Sequence, residues 1–179
     1  MLKKALLVIG ALIAVVLLIA ATRPSHFHIE RSASIAAAPE VVFPLINDFH
    51  AWAHWSPYEK LDPAMTKEFS GPPAGTGAGY AWSGNDEVGA GSMRITESQS
   101  PALVKIALEF VKPFQASNIA TFNVQPEGAG SRVTWGMDGA NPFGMKLASL
   151  FMDMDQMIGR DFEVGLSNLA ALAQVRALE

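Results

Sequence analysis

The feature that most restricts this chain is its start. Residues 5–21 are seventeen consecutive uncharged, small or apolar residues, eleven of them Leu, Ile or Val. Lys3 and Lys4 stand before the run; Thr22, Arg23 and Pro24 follow it. As a helix the run is about 26 Å long, close to the ~30 Å hydrocarbon thickness of a bilayer. At roughly 0.3–0.6 kcal/mol per large aliphatic residue, insertion is favourable by about 3–7 kcal/mol. Lipid offers the backbone no hydrogen-bond partner, so the run must be helical there, and Pro24 ends it. A cleaved signal peptide has a shorter apolar core and small residues at −3 and −1. Cutting after Ala20 or Ala21 would put Leu18 or Ile19 at −3. The expectation is an uncleaved single-pass signal anchor over residues 1–24, crossing through residues 5–21. Lys3 and Lys4 then stay in the cytoplasm. The domain over residues 25–179 lies outside it, in the periplasm of a Gram-negative cell.

The rest of the chain has the make-up of one folded domain. Half of all residues are hydrophobic and only 17% are charged, too apolar a balance for disorder. The length allows an ordinary core. Without Lys3 and Lys4, 11 basic side chains face 17 acidic ones. That balance, with no basic run, excludes the electropositive face of a nucleic-acid binder. An acidic surface does not itself attract anionic headgroups, so membrane association falls to the anchor. Cysteine is absent, which excludes disulfides, thiolate metal sites and a cysteine nucleophile.

The periodicity then changes twice. From His26 to Ile35 the residues alternate, with Phe27, Ile29, Arg31, Ala33 and Ile35 on one face, which is strand spacing. Ala38-Pro39-Glu40 opens a short helix with proline at an early position, and Asp48–Trp55 reads as a second short helix. Short alternating segments follow: Met65–Phe69; Tyr80 and Trp82; Met93 and Ile95; Val104 to Phe110; Ala120 to Val124; Val133 to Met137. Turn signals separate them, and the pattern predicts an antiparallel meander. Gly77, Gly79, Gly89 and Gly91 are the positions where bulges or bends would curve the sheet. Asn141-Pro142 reads as a helix start, and Leu147, Leu150, Phe151, Met154, Ile158, Phe162, Leu166 and Leu169 recur at helical spacing. The expected fold is α+β: one strand, two short helices, six strands and one long C-terminal helix. The apolar stripe of that helix must lie on the sheet.

The same order of residues resembles a known family. Arg31-Ser32 with Ile35, Ala38-Pro39-Glu40-Val41-Val42-Phe43, Asp48 with Trp52, and Trp55-Ser56-Pro57 carry the first part of the likeness. Gly71-Pro72 through Gly79-Tyr80-Ala81-Trp82-Ser83-Gly84, Gly91-Ser92-Met93, Val133-Thr134-Trp135 and Asp161-Phe162-Glu163-Val164-Gly165-Leu166 carry the rest. Over residues 26–174 the chain resembles the SRPBCC, or START-like, superfamily, which includes the birch-pollen allergen fold and polyketide cyclase/dehydrase-like proteins. The resemblance implies a helix-grip fold, in which a curved antiparallel sheet of about seven strands wraps a long C-terminal helix. It also implies a cavity between sheet and helix for a lipid, sterol, polyketide or other apolar molecule. The family shares no catalytic residue set, so none is carried over.

The chemistry visible in single residues is sparse. There is no phosphate loop, nucleophile elbow or HExxH. His26, His28 and Glu30 share one strand face and would be zinc ligands or a solvated face. His50 and His54, with Asp48 near, would share one helix face as a ligand or acid–base pair, or belong to a capped surface helix around inward-packed Trp52 and Trp55. Met152, Met154 and Met157 would suit a soft metal or, more simply, adaptable apolar packing. No metal or cofactor is expected. The aromatics carry the functional expectation. Tyr80, Trp82, Met93, Phe110, Phe122 and Trp135 fall on the apolar strand faces, opposed by Met154 and Ile158 of the helix. These eight are the expected lining of a pocket for a hydrophobic small molecule or lipid. The expected function is a membrane-tethered binding protein for such a molecule. A polyketide cyclase/dehydrase-like enzyme is the alternative, with Glu109, Tyr80 or His54 as its acid–base group. A non-catalytic interaction module of a membrane complex is the other.

Overall fold

The computed structural model describes residues 2–178. Its first element is α1 (Leu2–Thr22), an unbroken helix of 21 residues. Then come β1 (His26–Ile35), α2 (Pro39–Asn47) and two 3₁₀ turns, Phe49–His54 and Pro57–Lys60. Six strands follow: β2 (Thr66–Ser70), β3 (Gly79–Ser83), β4 (Ala90–Gln99), β5 (Leu103–Lys112), β6 (Ala116–Glu127) and β7 (Gly130–Ala140). Two helices, α3 (Phe143–Ala148) and α4 (Met154–Arg176), close the chain. The seven strands form one antiparallel sheet in the order β1-β7-β6-β5-β4-β3-β2. Strand number, antiparallel pairing and the long final helix agree with the helix-grip expectation.

Period-two alternation sets the register, and the register builds apolar rows across the inner face. Ile95, Ile106, Ala120, Met137 and Ile29 are successive cross-strand partners. So are Tyr80, Met93, Leu108, Asn118, Gly139 and Phe27. The register slips between Ala90 and Gly91, and again between Ile95 and Glu97. Gly91 lies at the first slip, where a side chain would meet the Glu109 carbonyl oxygen as well as the Trp82 ring. A Cβ there would stand 2.6 Å from the Trp82 Cη2.

The C-terminal region departs from the expected single helix. The chain leaves helical geometry after α3 and re-enters it at Met154, where the Asp153 carboxylate caps the new helix by accepting from the Gln156 N–H at 3.0 Å. Phe151, expected on the apolar stripe, is exposed. Asn141 is not a cap. Its amide donates to the Pro24 carbonyl at 3.0 Å and its backbone N–H to the Ser25 carbonyl at 2.8 Å. The second short helix is also not α-helical. It is a 3₁₀ turn started by Asp48, whose carboxylate accepts from the His50 N–H at 2.8 Å.

α4 packs chiefly on β1, with further contacts to α2, the second 3₁₀ turn and β7. Phe162, Leu166, Leu169 and Ala173 form its buried face. Two small residues set its closeness to the sheet. Gly159 sits over the Arg31 guanidinium, and a Cβ on Gly165 would approach the Trp135 ring to 2.7 Å. Arg31 ties the helix down from β1, meeting Asp155 at 2.8 Å and Glu163 at 3.0 Å.

Candidate functional site

Aromatic rings fill the inner end of the grip. Trp135 stacks on Phe162 and on Phe122, with centroids 4.1 Å and 4.8 Å apart. Trp55 meets both Trp135 and Phe122 edge-on, and Trp52 lies 4.8 Å from Trp55. The 3₁₀ turn carrying Trp52 and Trp55 is fastened to α2. Its indole N–H groups donate to the Ile46 and Leu45 carbonyls, each at 2.9 Å, where the helix end leaves carbonyls without helical partners. Fully burying rings of this size contributes about 1.5–3 kcal/mol each. Here the space between sheet and α4 is core. One polar atom in it, the Trp135 Nε1, is buried with no hydrogen-bond partner.

The other end is open. α4 lies mainly over β1, with slighter contact to β7, and β3, β4 and β5 are not among the elements it packs on substantially. Trp82, Met93, Leu108 and Phe110 on the inner face of those strands are only half-buried. Trp82 meets Phe110 edge-on at 5.8 Å and lies 6.1 Å from Tyr80. Phe27 of β1, also half-buried, ends the same row, and Asn118 of β6 puts a buried amide into it. The open part is therefore an apolar trough with one polar group, at the end of the sheet where β1 begins. Two shallow, half-open hollows, of about 270 and 230 Å³, lie elsewhere. One is beside Phe49, Phe69 and Pro72; the other is on the outer face around Ser92, Arg94 and Glu109.

The eight expected lining residues divide between these regions. Tyr80, Phe122 and Trp135 are core. Trp82, Met93 and Phe110 line the trough; Met154 and Ile158, half-buried, stand on α4 above β1. Asn118 is not among the eight expected residues. It occupies the polar position in the otherwise apolar alternation Asn118, Ala120, Phe122, Val124, a signal present in the sequence.

The titratable groups serve other ends. The Tyr80 hydroxyl donates to Glu59 at 2.8 Å, and Glu59 also holds Lys67. Burial, then the Glu59 carboxylate, push Tyr80 well above its ordinary value, so it keeps its proton. Burial likewise raises Tyr58, whose hydroxyl meets Asp161, and the Asp161 carboxyl itself is raised by desolvation. Glu109 lies on the outer face, bonded to Ser117, and His54 is exposed. His50 turns to Asp48 at 2.8 Å and stacks on Phe69. His28 binds Asp138 at 2.7 Å on the solvated face. Among the described residues no group of three or more His, Asp or Glu side chains is placed to hold a metal.

At the same end of the sheet stands α1. Its side chains are exposed along nearly its whole length, and by length and composition it can cross a membrane. A family model described as "Polyketide cyclase / dehydrase and lipid transport" matches residues 26–174. The chain belongs to that family. Members of the wider fold have been solved repeatedly. Protein CV1439 from Chromobacterium violaceum is 17% identical, with a TM-score of 0.58 over 84% of this chain and 98% of that one. Ara h 8.0201 is 10% identical, with a TM-score of 0.57 over 84% and 99%. The Aha1 protein from Colwellia psychrerythraea, solved as a dimer, is 14% identical, with a TM-score of 0.53 over 84% and 96%. At these identities the likeness is one of fold. No curated protein matches the chain. Membership of the polyketide cyclase/dehydrase and lipid transport family covers the grip and leaves α1 outside the matched region.

Proposed function

We propose that this protein holds an apolar small molecule or lipid beside the membrane that anchors it. Residues 1–24 act as a single-pass anchor and residues 25–179 as the binding domain. The observation that carries the reading is the stretch of inner sheet face where Trp82, Met93, Leu108 and Phe110 are only half-buried, while Trp52, Trp55, Phe122, Trp135 and Phe162 at the other end are fully packed. An alkyl chain laid there contributes about 0.8 kcal/mol per buried CH₂, and the Asn118 amide offers one donor or acceptor to fix its polar end. Met154 and Ile158 form the α4 border. The family description, which joins cyclase and dehydrase chemistry with lipid transport, supports an apolar occupant. The groups suited to acid–base work turn away from the trough or are already bonded, which favours binding over turnover. Lys3 and Lys4 before the apolar run favour a cytoplasmic N-terminus and a domain outside the cytoplasm.

The test uses residues 24–179, which carry every core residue except Ala20. The domain is purified without detergent and its organic extract is analysed by mass spectrometry. A stoichiometric apolar molecule is expected. A folded domain that yields an empty extract and fails to take up an apolar fluorescent probe would refute the reading. A reporter fused after Glu179 and assayed on each side of the membrane tests the topology.

A further inference from the structure

α3 packs against α1. The α1 side chains that the rest of the protein shields are Val16, half-buried, and Ala20, fully buried. Four residues apart, they share one face. Val16 lies about 8 Å inside Ala21 along the helix axis, and Ala21 is where the apolar run ends. An element that touches α1 at this level stands at the depth of hydrocarbon, not above it.

The composition of that element fits such a place. Residues 143–152 read Phe-Gly-Met-Lys-Leu-Ala-Ser-Leu-Phe-Met, with Lys146 the one charge. Lys146 turns back to the Ser25 hydroxyl at 3.0 Å. Phe151 is 76% exposed, and Phe143 and Met152 about half. A second prong stands at the same end. Asn118 pairs with Gly139 and Phe110 with Ala116, so the β5–β6 hairpin tip lies beside the start of β1. That tip carries Phe114, 75% exposed. Arg23, Lys112 and Lys146 supply positive charge at this end. Asp138 is held by His28 and Asp153 by its helix cap, leaving Asp86 and Glu87 of the β3–β4 turn as the free acids.

From this we infer that the domain docks on the bilayer that α1 spans. The segment Phe143–Met152 and the Phe114 hairpin tip insert into the interfacial layer of the leaflet at the C-terminal end of α1. The open end of the trough then faces lipid. The inference rests on reading α1 as a membrane span.

The absence of cysteine lets single substitutions carry one probe each. The intact chain is reconstituted in phosphatidylcholine–phosphatidylglycerol vesicles containing nitroxide-labelled lipid. An environment-sensitive fluorophore is placed at Phe151→Cys, Phe114→Cys, Leu12→Cys in mid-α1, or Gln125→Cys at the far end of β6. Docking predicts several-fold stronger quenching at Phe151 and Phe114 than at Gln125, by nitroxides near the headgroup, with Leu12 quenched by deep ones. Quenching at Leu12 alone would overturn the docking and leave the tether standing. No quenching at Leu12 would remove the tether and the docking together. Energy transfer between copies labelled at Phe151, with no lipid quenching there, would assign the face to a second copy of the chain and overturn the inference.

Discussion

The indole of Trp135 lies flat on the ring of Phe162, with 4.1 Å between centroids and 11° between planes. This contact joins α4 to β7 at the centre of the grip. Truncating either ring to alanine should destabilise the domain by about 3–5 kcal/mol, read as a lower urea midpoint at unchanged slope. Trp135→Phe should cost far less than Trp135→Ala. It keeps a stacked ring and removes the partnerless Nε1–H, whose burial costs about 1–3 kcal/mol. Equal losses for the two variants would contradict the stacking account.

Gly159 and Gly165 should respond differently to the same substitution. Alanine in an exposed helix interior is ordinarily better than glycine by about 1 kcal/mol. At Gly159 the new methyl meets the Arg31 guanidinium, whose displacement loosens its pairs with Asp155 and Glu163. Both partners are mostly exposed and such pairs are worth about 0–1 kcal/mol, so Gly159→Ala should stay within about 1 kcal/mol of wild type. At Gly165 it meets the buried Trp135 ring at 2.7 Å and Pro57 at 3.1 Å. Gly165→Ala should cost about 1–3 kcal/mol by overpacking. Thermal unfolding of the two variants side by side checks the order.

Charges placed in the trough should separate binding from folding. Phe110→Asp and Trp82→Asp alter half-buried positions and should leave a folded domain that has lost its apolar ligand. Arg94→Asp on the outer face should bind as wild type does. Retained affinity in folded Phe110→Asp and Trp82→Asp proteins, measured with an apolar fluorescent probe, would place the ligand elsewhere.

His28 gives a pH signature. Its hydrogen bond to Asp138, the largest influence on it, holds its imidazole above the ordinary value of 6.5. A base stabilised in its protonated form adds stability that is complete below the ordinary value and lost as pH rises through the raised one. Both side chains are more than half exposed, so the effect is small. The stability advantage of wild type over His28→Gln should be full below the ordinary value of 6.5 and shrink as pH rises above it. NMR titration should show His28 returning toward its ordinary value in Asp138→Asn.

The sheet was legible because alternation is a local property. Val104, Ile106, Leu108 and Phe110 declare their face without reference to anything else in the chain. The break before α4 was not, since Leu147, Leu150, Phe151 and Met154 keep helical spacing straight through it. Only the cap at Asp153 marks the new start. The apolar character of the inner face could be read residue by residue, and Trp52 and Trp55 were expected to pack inward. What spacing cannot express is how far their rings reach. They fill the inner end of the grip, so Phe122 and Trp135 became core while Trp82, Met93 and Phe110 stayed half-open. Arg31 reads as one more position on an apolar strand face, and its role appears only when Asp155 and Glu163 arrive from a helix more than a hundred residues later.

Three residues, Arg23, Pro24 and Ser25, separate α1 from β1, and two of them are bonded to Asn141 and Lys146. Such a joint has no slack. With α1 in a bilayer, the domain cannot swing outward or ferry cargo between two surfaces. Under the proposed function it would be a fixed berth, loading from the lipid beneath it, and onward transfer would require the recipient to come to it.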